Sequence, residues 1–277
     1  MSTGLLGFES VQEWQGGVRE HVSASRLSCW LKCPLAWRIR YLDGIKMPTT
    51  PSLFVGKIVH AGLQGFYRHR QLGITLGADD VAERMLHSWA RLVDEEGMTF
   101  DSTDAEQAIR QQTTGLVRTY VAHTPENERP LAVEVAAEAP LVDPVTGEDL
   151  GMPLVGIIDL VLDYEEGPII ADFKTSGRSS EPMEITHQIQ LSRYAYLFRQ
   201  VNPRPEAGLE IRSLIKTKAP KIEFHHYPAR TDAHFHRFLA VVREYLDSLD
   251  AGRFNYRPGF GCGMCDFAHT HCRRWTG

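Results

Sequence analysis

The chain has 277 residues, of which 43% are hydrophobic and 23% are charged, and its formal net charge is −5. This composition is typical of a globular protein that can bury a full core, and it carries no overall basic signal for nucleic acid binding. No apolar run of about 18 residues occurs, which argues against a membrane span, and the segment 1–14 lacks the pattern of a signal peptide. A cytoplasmic protein without membrane association is therefore expected.

The first part of the chain, up to about residue 125, is predicted to be helical. Ser25 is a candidate cap for a helix that carries Trp30 and Trp37, and Pro34 must kink or restart that helix. Three further amphipathic stretches are predicted at about 54–71, 79–95 and 104–123. Helices are thus expected to precede any strand.

The pattern changes after Pro130, where short apolar or alternating runs are separated by turn residues. Five strands are predicted, at about 131–141, 153–164, 168–176, 208–218 and 221–229, with helices at about 182–201 and 231–251. No glycine-rich phosphate loop follows any of these strands, so a nucleotide-binding fold is not indicated. The order of the elements predicts an α+β (mixed α/β) fold with a central sheet.

Charged side chains lie inside two of the apolar strands. Asp159 interrupts the second predicted strand, while Asp172 and Lys174 project from one face of the third. An ionised aspartate in a buried strand is costly unless it is paired or binds a metal. A structural ion pair between Asp172 and Lys174 would meet this requirement. Two aspartates that converge on a lysine also suit a site where carboxylates hold Mg²⁺ or Mn²⁺ and an ammonium stabilises charge on a phosphate.

Three of the five cysteines lie close together near the end of the chain, at Cys262, Cys265 and Cys272. A clustered, odd-numbered set in a reducing compartment indicates metal or redox chemistry rather than a disulfide framework. A tetrahedral centre requires a fourth ligand. His269 and His271 lie in the same segment, so a zinc site formed by the three cysteines and one histidine is one candidate.

The pattern Gly-x-x-Asp at 156–159, followed by Asp-x-Lys-Thr at 172–175, resembles the PD-(D/E)xK nuclease superfamily. In particular it is similar to the RecB-like branch with an iron–sulfur cluster, which includes helicase-linked nucleases and CRISPR-associated exonucleases. Other segments resemble motifs of this branch, in the same order: SASRLSCWLKCPLAW, GKIVHAGL with His60, QLSRYAY with Gln190 and Tyr194, and the C-terminal Cys-x-x-Cys…Cys. The resemblance extends over about 23–272, nearly the whole chain.

The resemblance implies one nuclease domain over 1–277, with a restriction-endonuclease-like core at about 130–252 and a cluster-binding tail at about 253–277. It implies that Cys33 joins Cys262, Cys265 and Cys272 around a [4Fe–4S] cluster that ties the two ends of the chain together. Cys29 would then be a small buried hydrophobic residue. The spacing from Cys265 to Cys272 is one residue longer than is usual in the branch, so the zinc site stays a competing interpretation.

The expected ligands of the divalent metal are Asp159, Asp172 and the backbone carbonyl of Phe173. The resemblance adds His60, whose imidazole would shift the preference toward Mn²⁺ because it is a softer donor than a carboxylate. Without the resemblance, a hydrogen-bonded helix histidine would be the simpler interpretation of His60.

Other side chains are expected around this metal. Glu134 and Glu138 are predicted to share one face of the first strand, where one of them would approach the metal, and Glu134 matches the family position better. Either residue could instead be an exposed strand residue. Lys174 would position the attacking water or stabilise the phosphate. By resemblance, Gln190 and Tyr194 would orient Lys174 or contact the DNA backbone.

Local basic and aromatic groups are candidates for DNA contact despite the acidic net charge. The basic candidates are Lys216, Lys218, Lys221, Arg273 and Arg274, and each is also compatible with an ordinary solvated charge. The aromatic candidates are Trp30, Trp37 and Tyr41, which could stack on single-stranded bases, although aromatics at helical spacing are more commonly core residues.

The function expected from the resemblance is a metal-dependent DNA nuclease, in particular an exonuclease on single-stranded DNA or DNA ends. It would act in CRISPR adaptation, phage DNA processing or recombinational repair, with an integrase or helicase as a partner. The alternative is a non-catalytic module that binds DNA or a protein partner and holds a structural iron–sulfur or zinc site. The buried charges of Asp159, Asp172 and Lys174 argue against that alternative, because a binding module has no need of them.

Overall fold

A computed structural model of the protein describes residues 17–179 and 184–276, with only the helical backbone described for 184–186. Its strands are β1 (Val22–Ser23), β2 (Arg129–Val142), β3 (Asp149–Tyr164), β4 (Gly167–Ser176), β5 (Gly208–Ile215) and β6 (Lys221–Pro228). Its helices are α1 (Ala24–Lys32), α2 (Pro34–Tyr41), α3 (Pro51–Gln71), α4 (Ala78–His87), α5 (Trp89–Glu95), α6 (Thr103–His123), α7 (Glu184–Val201), α8 (Asp232–Asp250) and α9 (His271–Arg274), with a 3₁₀ turn at Phe260–Met264. The predicted helical character of residues 1–16 and the predicted helix start at about 182 lie outside the described residues.

The strands form one mixed sheet in which β3 has the most neighbours. β2 pairs antiparallel with one edge of β3 along most of its length. On the other edge, β1 pairs in parallel with Leu154 and Val155, and β4 pairs antiparallel from Leu160 to Tyr164. β5 pairs in parallel with β4, and β6 antiparallel with β5. The predicted α+β (mixed α/β) fold with a central mixed sheet is confirmed.

Helices cover both faces of this sheet, and each face has its own apolar core. One core combines α1, α2, α7 and α8 with the sheet, around residues such as Trp37, Phe198 and Tyr245. The other combines α3, α4 and α6 with the opposite face, around residues such as Phe54 and Tyr120. The two cores therefore hold α3 and α7 on opposite faces of β3 and β4.

The N-terminal helices differ in detail from the prediction. Ser23, rather than Ser25, caps α1, since its side chain accepts a hydrogen bond from the Arg26 amide. Pro34 does restart the chain as α2, because a proline is favourable in a first helical turn and not in an interior. Trp30 and Trp37 are 2% and 0% exposed, so they are core residues and the stacking interpretation is wrong for both.

The C-terminal tail packs on α2. Phe267 of the tail forms a small apolar cluster with Leu35 and Ile39, and Trp275 packs against it. This contact brings the tail beside the residue that separates α1 from α2, Cys33. Within the described residues, none of the helices is long and apolar enough to cross a membrane.

Candidate active site

The acidic residues lie where β3 and β4 part. The last pair of that ladder is Leu160 with Ala171, so Asp159 and Asp172 are the first residues beyond it. The Phe173 amide donates to Asp159 Oδ2 at 3.0 Å, so a side-chain carboxylate supplies an acceptor that the ladder does not. Asp159 and Asp172 are 8% and 2% exposed. The fork in the sheet thus holds two nearly buried carboxylates side by side.

Glu134 faces this fork from β2 in an unusual backbone conformation. Its φ is 48°, the only positive value among the described residues other than glycine, and it lies opposite Asp159 in the β2–β3 register. Val133 packs in the core beneath α3, whereas Val135 packs against the core beneath α7. Regular alternation would place those two valines on the same face. The left-handed residue therefore switches the faces of β2 at the site.

His60 completes a group of three side chains that could hold a metal ion. One ligand atom each of His60, Glu134 and Asp159 lie within 4.8 Å of one another. His60 Nδ1 is 3.6 Å from Asp159 Oδ2, and His60 Nε2 is 3.0 Å from the Phe173 carbonyl oxygen. This set of one imidazole, two carboxylates and an adjacent carbonyl has the donor chemistry of a Mn²⁺ or Mg²⁺ site.

Asp172 is held by α7 on the opposite side of the sheet. Its Oδ1 accepts hydrogen bonds from Gln190 Nε2 and from the Tyr194 hydroxyl, each at 2.8 Å. Its Oδ2 lies 2.5 Å from Lys174 Nζ but receives no well-directed hydrogen bond, although the atom is fully buried. Gln190 and Tyr194 therefore bind Asp172 rather than Lys174, and one carboxylate oxygen keeps a free lone pair beside the acidic group.

The like charges of the site leave a clear electrostatic mark. Burial and the neighbouring Asp159 carboxylate raise the pKa of Glu134 to about 7. Burial, together with the Asp172 carboxylate, raises the pKa of Asp159. Burial likewise raises the pKa of Tyr194, which keeps its hydroxyl a hydrogen-bond donor to Asp172. A bound cation would stabilise the charged forms of these carboxylates.

Glu138 lies further along β2 than Glu134. It pairs with Val155 of β3, and its charge acts on His21 beside β1. Three residues of strand separate it from Glu134, which places it about 13 Å further along β2. Glu138 is not a member of the ligand group.

His187 is a neighbour of the site that the sequence did not reveal. It lies on α7 one turn before Gln190, and its pKa is lowered by burial and by the positive charge of Lys174. The signal was present, because His187, Gln190 and Tyr194 are spaced three and four residues apart on one helical face.

A cavity of about 460 Å³ opens beside the ligand group. Its walls are the exposed side of α3, with Leu53, Lys57 and Gln64 among the lining residues, and Glu134. His60 also lines it, so the ligand group can be reached from solvent along α3.

The cysteines form a second candidate metal site. Cys33, Cys262, Cys265 and Cys272 line a common cavity of about 530 Å³ between α2 and the tail, and Cys29 lines it too. Burial, then the three other cysteines, raise the pKa of Cys272, which places its sulfur near theirs. Within the described residues, the only group whose ligand atoms lie within 4.8 Å of one another is the acidic one, so neither His269 nor His271 joins the cysteines in a compact site.

The basic candidates do not lie together on one element. Lys216 donates to the Ser52 hydroxyl at 2.7 Å, at the start of α3, whereas Lys218 and Lys221 are exposed beyond the end of β5. Arg273 and Arg274 are exposed on α9 in the tail. Lys216 is thus the basic candidate that approaches the side of α3 near the active site.

Comparisons with known proteins agree with this geometry. A family model for the PD-(D/E)XK nuclease superfamily matches residues 21–273. A crystal structure named as that of a "putative exonuclease" from Eubacterium rectale is 16% identical over 91% of this chain and 88% of its own, with a TM-score of 0.58, which indicates a common fold.

A second crystal structure, of SSO0001, is also 16% identical, over 87% of this chain and 96% of its own, but its TM-score of 0.39 is too low to support a comparison. No curated protein matches the sequence. Since the family model covers most of the sequence, and since the acidic fork and its lysine coincide with the residues that carry the resemblance, the chain belongs to the PD-(D/E)XK nuclease superfamily of metal-dependent nucleases.

Proposed function

We propose that this protein is a DNA exonuclease that cleaves phosphodiester bonds of single-stranded DNA or of DNA ends with Mg²⁺ or Mn²⁺. The observation that carries the proposal is the convergence of His60, Glu134 and Asp159 within 4.8 Å, next to the ion pair of Asp172 and Lys174. Buried carboxylates with raised pKa values are typical of functional sites rather than of structural ion pairs.

The residues of the fork have distinct roles in this proposal. His60, Glu134 and Asp159 would hold the divalent ion, and Asp172 and the Phe173 carbonyl would supply further ligands. When bound, the ion polarises the scissile phosphate and lowers the pKa of the attacking water. Gln190 and Tyr194 fix the rotamer of Asp172 through their two hydrogen bonds to Oδ1, which leaves Oδ2 available as a ligand.

Lys174 serves the phosphate rather than the metal. Its ammonium projects beside Asp172, and its side chain is 35% exposed, so it can follow a substrate that enters from solvent. A positive charge at that place stabilises the additional negative charge that develops on the phosphate oxygens during cleavage.

The test is cleavage of end-labelled single-stranded DNA by purified protein in Mn²⁺. Asp172→Asn and Lys174→Met should each lower the rate at least about a hundredfold, which is the usual loss when a metal ligand or a charge-stabilising group is removed. Asp163→Asn, on β3 but outside the ligand group, is the matched control and should cleave like the wild type. Equal rates for all four proteins would mean that the activity belongs to a contaminant.

The preference for ends is tested with the same protein. Linear single strands should be degraded from their termini, whereas a circular single strand of the same sequence should survive. Cleavage of both at one rate would make the protein an endonuclease. An end-trimming activity would suit CRISPR adaptation, phage DNA processing or repair in the cytoplasm, beside an integrase or a helicase.

The cysteine cavity supports a [4Fe–4S] cluster better than zinc. Four sulfurs around one zinc ion at about 2.3 Å would lie roughly 3.8 Å apart in a tetrahedral site. No three of the described cysteines approach one another within 4.8 Å. In a [4Fe–4S] cluster each cysteine binds a different iron, so its sulfurs lie further apart, as a shared cavity of about 530 Å³ permits.

Anaerobically purified protein should therefore be brown and contain about four irons and four sulfides per chain. If the protein is colourless and contains one zinc per chain, the cysteines form a zinc site instead of a cluster, and the nuclease proposal is unaffected.

A further inference from the structure

Arg193 is a buried arginine that has no ionic or hydrogen-bonding partner among the described residues. It lies on α7 between Gln190 and Tyr194 and is 6% exposed. Within the described residues, no carboxylate approaches its guanidinium within 4 Å, and it donates no hydrogen bond. Its Nε is fully enclosed and unbonded, whereas its terminal nitrogens are not enclosed. The guanidinium makes a cation–π contact with the ring of Tyr194, whose centroid lies 4.2 Å from the guanidinium carbon.

Such an arrangement is costly for the folded protein. An enclosed Nε without a hydrogen bond loses its hydration without compensation, and the terminal nitrogens have no ionic or hydrogen-bonding partner among the described residues. Other arginines of this chain avoid that penalty. Arg212 is fully buried and pairs with Glu128 and Glu210, and Arg199, further along α7, pairs with Glu206 through two nitrogens. Since none of the described residues supplies a partner for Arg193, a bound ligand is the partner that we consider.

The surroundings of Arg193 leave room for such a partner. The last residue of β3 that pairs with β1 is Val155, and the first that pairs with β4 is Leu160. Between them, over residues 156–159, no strand of the described part of the chain pairs with this edge of β3. Gly156 lies at one end of this opening and Asp159 at the other, three residues or about 10 Å apart.

Gly156 is what allows the guanidinium to lie at its end of the opening. A Cβ at this position would come within 2.9 Å of Arg193 Nη1 and of Leu197 Cδ1. A side chain there would therefore displace the Arg193 guanidinium and the end of the Leu197 side chain. The glycine, the tyrosine ring and the unpaired strand edge together form a cradle for a planar cation whose donors are unused.

We propose that Arg193 binds a phosphodiester group of the substrate strand, one that neighbours the phosphate being cleaved. The proposal rests on the nuclease function proposed above. A guanidinium donates through two parallel nitrogens to two phosphate oxygens, and an aromatic ring beneath it holds the fork in orientation. The guanidinium lies over Gly156, which is three strand residues or about 10 Å from Asp159, and this offset suits a phosphate next to the one being cleaved. Arg193 is thus a binding residue that sets the position of the strand.

The test compares Arg193→Met and Arg193→Lys with Arg199→Met as the matched control on the same helix. Binding of a fluorescent single-stranded oligonucleotide is measured in EDTA at several salt concentrations, and kcat and KM are measured in Mn²⁺. Arg193→Met should raise the Kd and the KM about tenfold or more, which is typical for the loss of a charge-assisted contact, with a smaller change in kcat. For this variant, the slope of log K against the logarithm of the salt concentration should decrease in magnitude by about one, the amount expected for one lost phosphate contact.

Thermal unfolding separates this role from a structural one. Arg193→Met should be as stable as the wild type or more stable, because it removes an uncompensated buried charge. Arg199→Met should be less stable, because it leaves Glu206 unpaired, and its salt slope should match that of the wild type. Arg193→Lys keeps the charge but loses the planar fork, so its Kd should lie between those of the wild type and Arg193→Met.

Three outcomes would overturn the proposal. A lower Tm for Arg193→Met with an unchanged Kd would make the arginine structural. If Arg193→Met binds Mn²⁺ more tightly than the wild type and binds DNA equally well, the role of Arg193 is to balance the negative charge of the acidic site. If the wild type cleaves DNA and Arg193→Met has the same KM, the nuclease function stands but this contact does not exist. If DNA binding depends on Arg193 but the wild type cleaves nothing, the nuclease function alone is overturned.

Discussion

Glu134 combines two unfavourable features at one residue. A non-glycine residue in the left-handed region carries a strain of about 1–3 kcal/mol, and its carboxylate is buried beside Asp159. The same backbone conformation turns the side chain toward His60 and Asp159, which regular alternation along β2 would not do. Strain and like charge at this residue thus accompany the assembly of the ligand group.

The strain at Glu134 can be separated from its charge by two substitutions. Glu134→Gln removes the negative charge but keeps a side chain at φ 48°, whereas Glu134→Gly also removes the strain, because glycine adopts positive φ freely. In metal-free protein the glycine variant should be more stable than the glutamine variant by about 1 kcal/mol, after the entropy that glycine loses on folding. Urea denaturation gives both values. A glutamine variant that is equally stable would show that the backbone at Glu134 is unstrained.

The residues of the fork were predictable from the sequence to different degrees. Asp159, Asp172 and Lys174 stood out because charged residues in apolar strands require a reason, and strand alternation placed Asp172 and Lys174 on one face. Alternation alone did not separate Glu134 from Glu138, because nothing in the sequence predicts the positive φ of Glu134. The sequence did not single out Arg193, because an arginine on a helix is common and only the structure shows that this one is buried without an ionic partner among the described residues.

At the scale of elements, the β2–β3 turn is tied to α8 by a charged contact. Asp143 at the end of β2 is 3% exposed and accepts a hydrogen bond from Arg243 Nη2 at 2.6 Å. It also accepts from the backbone amides of Val145 and Thr146 in the turn. The Arg243 hydrogen bond, followed by that of the Val145 amide, lowers the pKa of Asp143. The long β2–β3 pair, which carries Glu134 and Asp159, is thereby anchored at its far end.

This contact predicts a pH-dependent contribution to stability. Because the folded pKa of Asp143 is depressed, its contribution is fully present above the unfolded pKa of about 3.9 and is lost as the pH falls through the lower folded value. Asp143→Asn should therefore unfold at lower urea than the wild type at pH 7, and the difference should shrink below about pH 4. A difference that stays constant from pH 7 to pH 3 would contradict an ionised Asp143 as its source.

Element boundaries were lost where tertiary contacts override local pattern. β1 was not predicted, because a strand of two residues has no periodicity and exists only through its pairing with β3. The predicted helix at 79–95 is divided into α4 and α5 at Ser88, although its apolar spacing is continuous. The long helices α3, α6 and α8 were found with errors of a few residues, because amphipathic periodicity over five turns is a strong signal.

At the scale of the whole molecule, the cysteine cavity links segments that are far apart in sequence. Cys33 follows the last residue of α1, in the N-terminal part of the chain, and Cys262 lies in the C-terminal tail. A shared cluster would therefore close a loop of about 229 residues. The loop-closure model assigns such a link about 5 kcal/mol of stability through the entropy of the unfolded chain, which is comparable to the stability of a whole domain. The apolar contact of Phe267 with Leu35 and Ile39 alone would be a weak closure.

Cys272→Ser tests this closure, with Cys29→Ala as the matched control. Cys272 is one of the four proposed ligands, whereas Cys29 lines the same cavity without being assigned a bond to the cluster. Cys272→Ser should lose iron and unfold at much lower temperature and urea than the wild type, because both the metal–sulfur bonds and the closed loop are lost. Cys29→Ala should keep its iron and lose little stability. Iron analysis and thermal unfolding of both variants decide the matter, since loss of iron from the Cys29 variant, or an unchanged Tm for the iron-free Cys272 variant, would refute a closure built on these four sulfurs.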